Sequence, residues 1–137
     1  MKTRLNPYLS FNGNCKEAME FYKSIFGGEL TISTFGETDP KTPDDIKDQV
    51  MHAQLESEEL IVLMASDPAP GGTGASPNGS VSLSGDDETQ LTEFFNKLSD
   101  GGTVVLPLGK QVWGDTFGMA TDKYGVFWMV NIVAPKV

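Results

Sequence analysis

Glu20-Phe21-Tyr22-Lys23-Ser24-Ile25-Phe26-Gly27-Gly28 returns in outline further along the chain as Glu93-Phe94-Phe95-Asn96-Lys97-Leu98-Ser99-Asp100-Gly101-Gly102. The glutamate and first phenylalanine match outright, a second aromatic follows, and an aliphatic falls at the same place. A glycine pair closes both strings, after one extra residue in the second. An internal repeat decides the fold before any single element does, because each copy must then be the same supersecondary unit.

The elements around the two strings correspond. In the first copy Cys15, Ala18, Met19, Tyr22, Ile25 and Phe26 recur at three- and four-residue spacing, which predicts a helix with one apolar stripe. Asn14 is placed to cap it, with Glu17 reaching back, and Gly27 and Gly28 offer the positive φ that ends a helix. In the second copy Leu91, Phe94, Phe95 and Leu98 form the stripe, Asp87 with Gln90 the cap, and Gly101 and Gly102 the stop.

A strand precedes each helix, Tyr8 to Phe11 and Val81 to Ser84, and three follow each. In the first half these are Leu30 to Phe35, Val50 to Glu56 and Leu60 to Ala65, the last two joined by a short turn around Ser57 to Glu59. In the second they are Thr103 to Leu106, Phe117 to Thr121 and Val126 to Val133, with Asp122-Lys123-Tyr124-Gly125 as the matching turn. Val81 and Leu83 are expected to face the helix and Ser80 and Ser82 the other way. The last strand is apolar on both faces, Phe127 and Met129 against Trp128, Val130 and Ile132, and reads as buried on both. The expected class is α+β, two tandem βαβββ modules in a single domain over 1–137. Module 1 covers about 5–67, a linker about 68–79, and module 2 about 80–134. The stretch from Gly36 to Gln49, acidic and carrying Pro40 and Pro43, reads as irregular.

Composition bounds the function. The 137 residues carry a formal net charge of −9, a field that repels a nucleic-acid backbone. No apolar run of about 18 residues is present for a membrane span, and Met1 to Pro7 lacks the apolar core of a secretory signal. A lone cysteine, Cys15, forms no internal disulfide and suits a reducing compartment, so a cytoplasmic protein is expected.

Several strings resemble the PhnB-like branch of the vicinal-oxygen-chelate superfamily, which groups glyoxalases, bleomycin-resistance proteins and extradiol dioxygenases. They are Pro7 to Ala18, Phe21-Tyr22 with Phe26 to Glu29, Met51-His52-Ala53, Leu63 to Asp67, Trp113-Gly114-Asp115, Phe117-Gly118, Asp122 to Val126, and Trp128 to Asn131. The resemblance implies that each half curls its strands into a half-open barrel with the helix outside, that the sheets wrap a pocket, and that the protein is a homodimer. Metal-using relatives hold a divalent ion through side chains of the first strand of each half, usually His or Gln, and of the last, usually Glu. Mapped onto this chain, those places fall at about Asn6 to Tyr8, Ser80, Leu63 or Met64, and Met129. None offers the carboxylate or imidazole that such ions want.

The candidate binding residues are His52, Gln54, Met64, Ser82, Trp113, Phe117 and Met129. No catalytic residue and no metal ligand stands out, and no cofactor is expected. His52 carries two readings, a general base or ligand-orienting donor and a hydrogen-bonded structural histidine. Trp113, Phe117 and Trp128 read either as pocket aromatics or as core. Cys15 sits on the apolar stripe and reads as a packed thiol before a nucleophile. Gly71-Gly72-Thr73-Gly74 lacks the Lys-Ser/Thr of a phosphate loop and reads as linker. Asp86, Asp87 and Glu88 serve the helix terminus. Two functions from different classes follow: metal-free binding of a small molecule, and a divalent-metal-dependent lyase, isomerase or dioxygenase with a relocated site near His52. A metal-free enzyme using His52 as base is a third. Any link to phosphonates stays outside what these residues say.

Overall fold

The computed structural model describes residues 4–57, 61–68, 74 and 77–135. The elements run β1 (Tyr8–Ser10), α1 (Cys15–Phe26), β2 (Glu29–Thr34), α2 (Phe35–Thr38), β3 (Val50–Glu56), β4 (Val62–Ser66), β5 (Ser80–Gly85), α3 (Glu88–Ser99), β6 (Thr103–Lys110), β7 (Thr116–Thr121) and β8 (Phe127–Ile132). Two compact units divide the chain, Met1–Asn78 and Gly79–Val137. The strand orders β1-β4-β3-β2 and β5-β8-β7-β6 are one topology used twice. The first strand of each sheet lies parallel to the last, and the other pairs are antiparallel. The α+β class and the two tandem βαβββ modules are as the repeat predicts.

In the first unit α1 buries all six stripe residues. It packs on β2, β3 and β4, where Ala53, Leu55, Leu63 and Ala65 are buried at alternate strand positions. Burial of a large apolar side chain is worth about 1.5–3 kcal/mol, so this stripe outweighs the marginal stability of an isolated helix of this length. In the second unit Leu91 and Phe95 meet Ala120, Val130 and Ile132, with Leu83, Phe94 and Leu108 packed around them. Gly118 lets α3 sit close: a Cβ there would lie 3.0 Å from the Phe95 ring and from Leu108.

The glycine pairs do more than end helices. A Cβ on Gly28 would run into the Glu56 carbonyl, and one on Gly102 into the Thr121 carbonyl. In each unit the chain leaves the helix by passing tightly against the strand it is about to pair with. The turn between β7 and β8 forms as expected, with Asp122 N donating to Val126 O and Gly125, at φ +87°, donating to Asp122 O. Ser57 N donates to Ile61 O in the matching place; Glu59 and Leu60 lie outside the described residues.

Three expectations are corrected. Asn14 makes no side-chain cap on α1. Asp67, at the end of β4, takes that role: Oδ1 accepts from Gly13 N at 2.8 Å and Cys15 N at 3.1 Å, and Oδ2 from Val50 N at 2.9 Å. Second, β8 is buried on one face only. Trp128, Val130 and Ile132 are buried, whereas Phe127, Met129 and Asn131 are partly exposed, because the module has one helix to cover one face. Third, the stretch after β2 is not wholly irregular. It opens with α2, whose Thr34 hydroxyl accepts from Glu37 N at 3.3 Å.

Two more carboxylates are structural. Asp122 is 3% exposed and accepts from Tyr124 N, Val126 N and Trp128 Nε1. Asp115, in the β6–β7 loop, accepts from Ala134 N at 2.9 Å and Asn131 Nδ2 at 3.0 Å. The Ala134 amide first, and the Asn131 amide second, hold its carboxyl below the ordinary aspartate value.

Gly28→Ala and Gly102→Ala are each expected to lower stability by about 2 kcal/mol or more, because the obstacle is backbone and cannot rotate away. Equal melting temperatures for variants and parent would contradict the close approach. For Asp115 the sign follows from its lowered value: the stabilisation is present above the ordinary aspartate pKa and disappears as pH falls through the lowered one. Asp115→Asn should therefore melt below the parent at neutral pH, with the gap closing in acid. Thermal melts across that range check it, and a gap that widens in acid would refute it.

Candidate functional site

With one face of each sheet under a helix, the other is left for function. In the first sheet, cross-strand pairing sets Tyr8, Met64, Gln54 and Thr31 in one row of the uncovered face. His52 lies beside it, opposite Ser33. Ser33 pairs with His52 but Thr34 pairs with Val50, so Met51 is an extra residue, a β-bulge. The bulge reverses the alternation, which turns Val50 into the core at 1% exposure while His52 stays on the uncovered side.

The Tyr8 hydroxyl lies 3.5 Å from His52 Nδ1, and the two rings are 6.0 Å apart. Gln54 Nε2 donates to Glu56 Oε1 at 2.6 Å, and Arg4 donates to the same oxygen at 2.8 Å. The Arg4 bond first, then that of Gln54, hold the Glu56 carboxyl below its usual range. Gln54 therefore offers a ligand its carbonyl more readily than its amide nitrogen.

In the second sheet three rows cross the uncovered face: Ser80, Phe127 and Thr121; Ser82, Met129 and Met119; Ser84, Asn131 and Phe117. Trp113, in the β6–β7 loop, is 59% exposed and meets Phe117 edge-on, with ring centroids 6.1 Å apart. The structure thus gathers His52, Gln54 and Met64 on one face, and Ser82, Trp113, Phe117 and Met129 about another. Trp128 belongs to the core on the opposite side of β8, its indole N–H bonded to Asp122 at 2.8 Å.

The two registers make the modules comparable position by position. Met64 matches Met129, Tyr8 matches Ser82, Gln54 matches Met119, and His52 matches Phe117. Ser82 shares a row with Met129, and Ser80 with Phe127. The positions to which the resemblance maps metal ligands, about Asn6 to Tyr8, Leu63 or Met64, Ser80 and Met129, offer an amide, a phenol, a hydroxyl and thioethers. That donor set does not fit zinc, nickel or iron. Among the described residues no three His, Cys, Asp or Glu side chains come together as a metal-binding group.

The other candidates resolve plainly. Cys15 is fully buried, and its thiol is pushed up to about 12, by burial first and the Asp67 charge second, so it is a packed thiol. Asp87 caps α3 by accepting from Gln90 N at 3.0 Å. Of the glycine-rich stretch, Gly71, Gly72 and Thr73 lie outside the described residues. No described helix is long and apolar enough to cross a membrane. The sequence reading missed Tyr8 as the partner of His52 and Met119 as part of the second face. Strict alternation from Ala120 was the available signal for Met119, and alternation from Leu9 gave the face of Tyr8 but not its neighbour.

The family model described as the Glyoxalase/Bleomycin resistance protein/Dioxygenase superfamily matches residues 4–130. Protein YjdN of Escherichia coli is 30% identical, covering 94% of this chain and 95% of its own. The crystal structure of PA1353 from Pseudomonas aeruginosa superposes with a TM-score of 0.84 at 42% identity, covering 98% of this chain and all of that one. A PhnB protein from Bacillus cereus superposes with a TM-score of 0.72 at 27% identity, covering 96% and 100%. With the repeat, the doubled sheet topology and these matches in agreement, the chain belongs to the Glyoxalase/Bleomycin resistance protein/Dioxygenase superfamily, as a PhnB-like member.

Proposed function

We propose that the protein binds a small organic molecule on the uncovered faces of its sheets, without the metal of its metal-using relatives. His52, Gln54 and Met64 are the binding residues of the first unit, and Ser82, Trp113, Phe117 and Met129 those of the second. The observation that carries this reading is the donor set, with methionine at the last-strand position of both modules and tyrosine and serine at the first. A site for an organic ligand needs apolar area with a few placed polar groups, and these side chains supply both. His52 orients the ligand with a ring nitrogen, and the Tyr8 hydroxyl beside its Nδ1 restrains the imidazole. We further propose that the protein is a cytoplasmic homodimer, since edge strands such as β1 and β6 are usually covered.

Purified without chelator, the protein is expected to hold no stoichiometric zinc, nickel or iron by elemental analysis. A thermal-shift screen of small organic molecules should yield stabilising ligands in the presence of chelator. His52→Ala should weaken such a ligand about tenfold, the loss of one hydrogen bond. One metal equivalent per chain, lost in His52→Ala, would favour the metal-dependent lyase, isomerase or dioxygenase instead. Light scattering should give the mass of two chains at micromolar concentration. A monomer mass there would remove the dimer from this proposal.

A further inference from the structure

The protein carries a formal net charge of −9, yet the three rows of the second unit's uncovered face hold no charged residue. Its first column is serine throughout, Ser80, Ser82 and Ser84, each exposed. Beside that column stand Phe127, Met129 and Asn131, and beyond them Thr121, Met119 and Phe117, all partly exposed. Asp115, in the β6–β7 loop, is already engaged by Ala134 N and the Asn131 amide.

We infer that this face selects an uncharged amphipathic ligand, a flat apolar body with hydroxyl or carbonyl groups along one edge. The inference rests on the binding role proposed above and adds the chemical class. A charged group brought here would lose water without meeting an opposite charge, a cost of several kcal/mol in a desolvated site. An uncharged edge meets hydroxyls, each of which can donate or accept. Alternate strand positions set those hydroxyls about 7 Å apart, so Ser82 and Ser84 can engage two polar groups of one ligand edge. Met119 and Met129 present polarisable thioethers, which adapt to a flat ring and attract it, and Phe117 and Phe127 extend the apolar floor. Anionic classes such as phosphonates and carboxylates, and ammonium cations, are excluded on the same physical ground.

The test compares four probes with one ring system and different charge: 2-naphthalenemethanol, 2-naphthoate, 2-naphthylmethylphosphonate and 2-naphthylmethylammonium. Titration calorimetry on the full chain should find the alcohol at least about tenfold tighter than any charged probe. Its affinity should not change between about 0.02 and about 0.5 M salt, because no ion pair is there to be screened. Ser82→Asp should weaken the alcohol and strengthen the ammonium probe, and Ser82→Ala, with folding checked by circular dichroism, should weaken the alcohol alone. A charged probe that binds as well as the alcohol would overturn the inference and leave the binding role standing. Unchanged alcohol binding in both Ser82 variants would place the ligand elsewhere and also overturn it. If no probe binds at millimolar concentration, the inference fails together with the binding role.

Discussion

A single twelve-residue helix on each four-stranded sheet can cover only one face, and strand alternation sends every second side chain to the other. From this follows the split between buried Ala53, Leu55, Leu63 and Ala65 and the row through exposed Tyr8 and partly exposed Met64 and Gln54. The helix must also come close, which explains Gly118 under Phe95 and the glycines that pass the Glu56 and Thr121 carbonyls. Packing fixes one set of residues and releases the other, so the chemistry of the protein has to be sought on the released set.

The acidic composition invites a search for catalytic carboxylates, but the buried ones are occupied by the backbone. Asp67 joins the start of α1, the start of β3 and the end of β4 through three amide donors. Asp122 closes the β7–β8 turn and fixes the Trp128 indole. A carboxylate removed from water is tolerable when several N–H groups replace its hydration, and both meet that condition. The uncovered faces carry hydroxyls, thioethers, aromatic rings, the Gln54 and Asn131 amides, one imidazole and the Glu56 carboxylate, which Arg4 and Gln54 engage.

What was legible in the sequence was what short-range rules govern. The α1 stripe, the α3 cap at Asp87 and the turn at Asp122 depend on neighbours within a few residues, and periodicity or spacing exposes them. The face assignment of Val81 and Leu83 against Ser80 and Ser82 was equally readable from alternation. The Asp67 cap was not, because its donors are Gly13, Cys15 and Val50, brought together only by the sheet. The bulge at Met51 was hidden too, since a pairing register belongs to two strands and not to one. The same limit explains why Tyr8 could be placed in its strand but not beside His52.

Comparison of the two modules separates fold from function within one molecule. Asn14 and Asp87 stand at corresponding helix starts; only Asp87 caps locally, while α1 relies on Asp67, whose counterpart is the core residue Ile132. The same structural need is met by different residues, so differences on the covered side are interchangeable solutions to packing. On the side away from the helix the divergence is one of chemistry: His52 and Gln54 in one module, Phe117 and Met119 in the other. The central methionine stays the same, Met64 and Met129, as does the serine two residues on in the first strand, Ser10 and Ser84. A duplicated backbone gives no reason for one face to keep a titratable ring beside a phenol while the other is uncharged. The asymmetry of the faces is therefore a better guide to function than the fold they share.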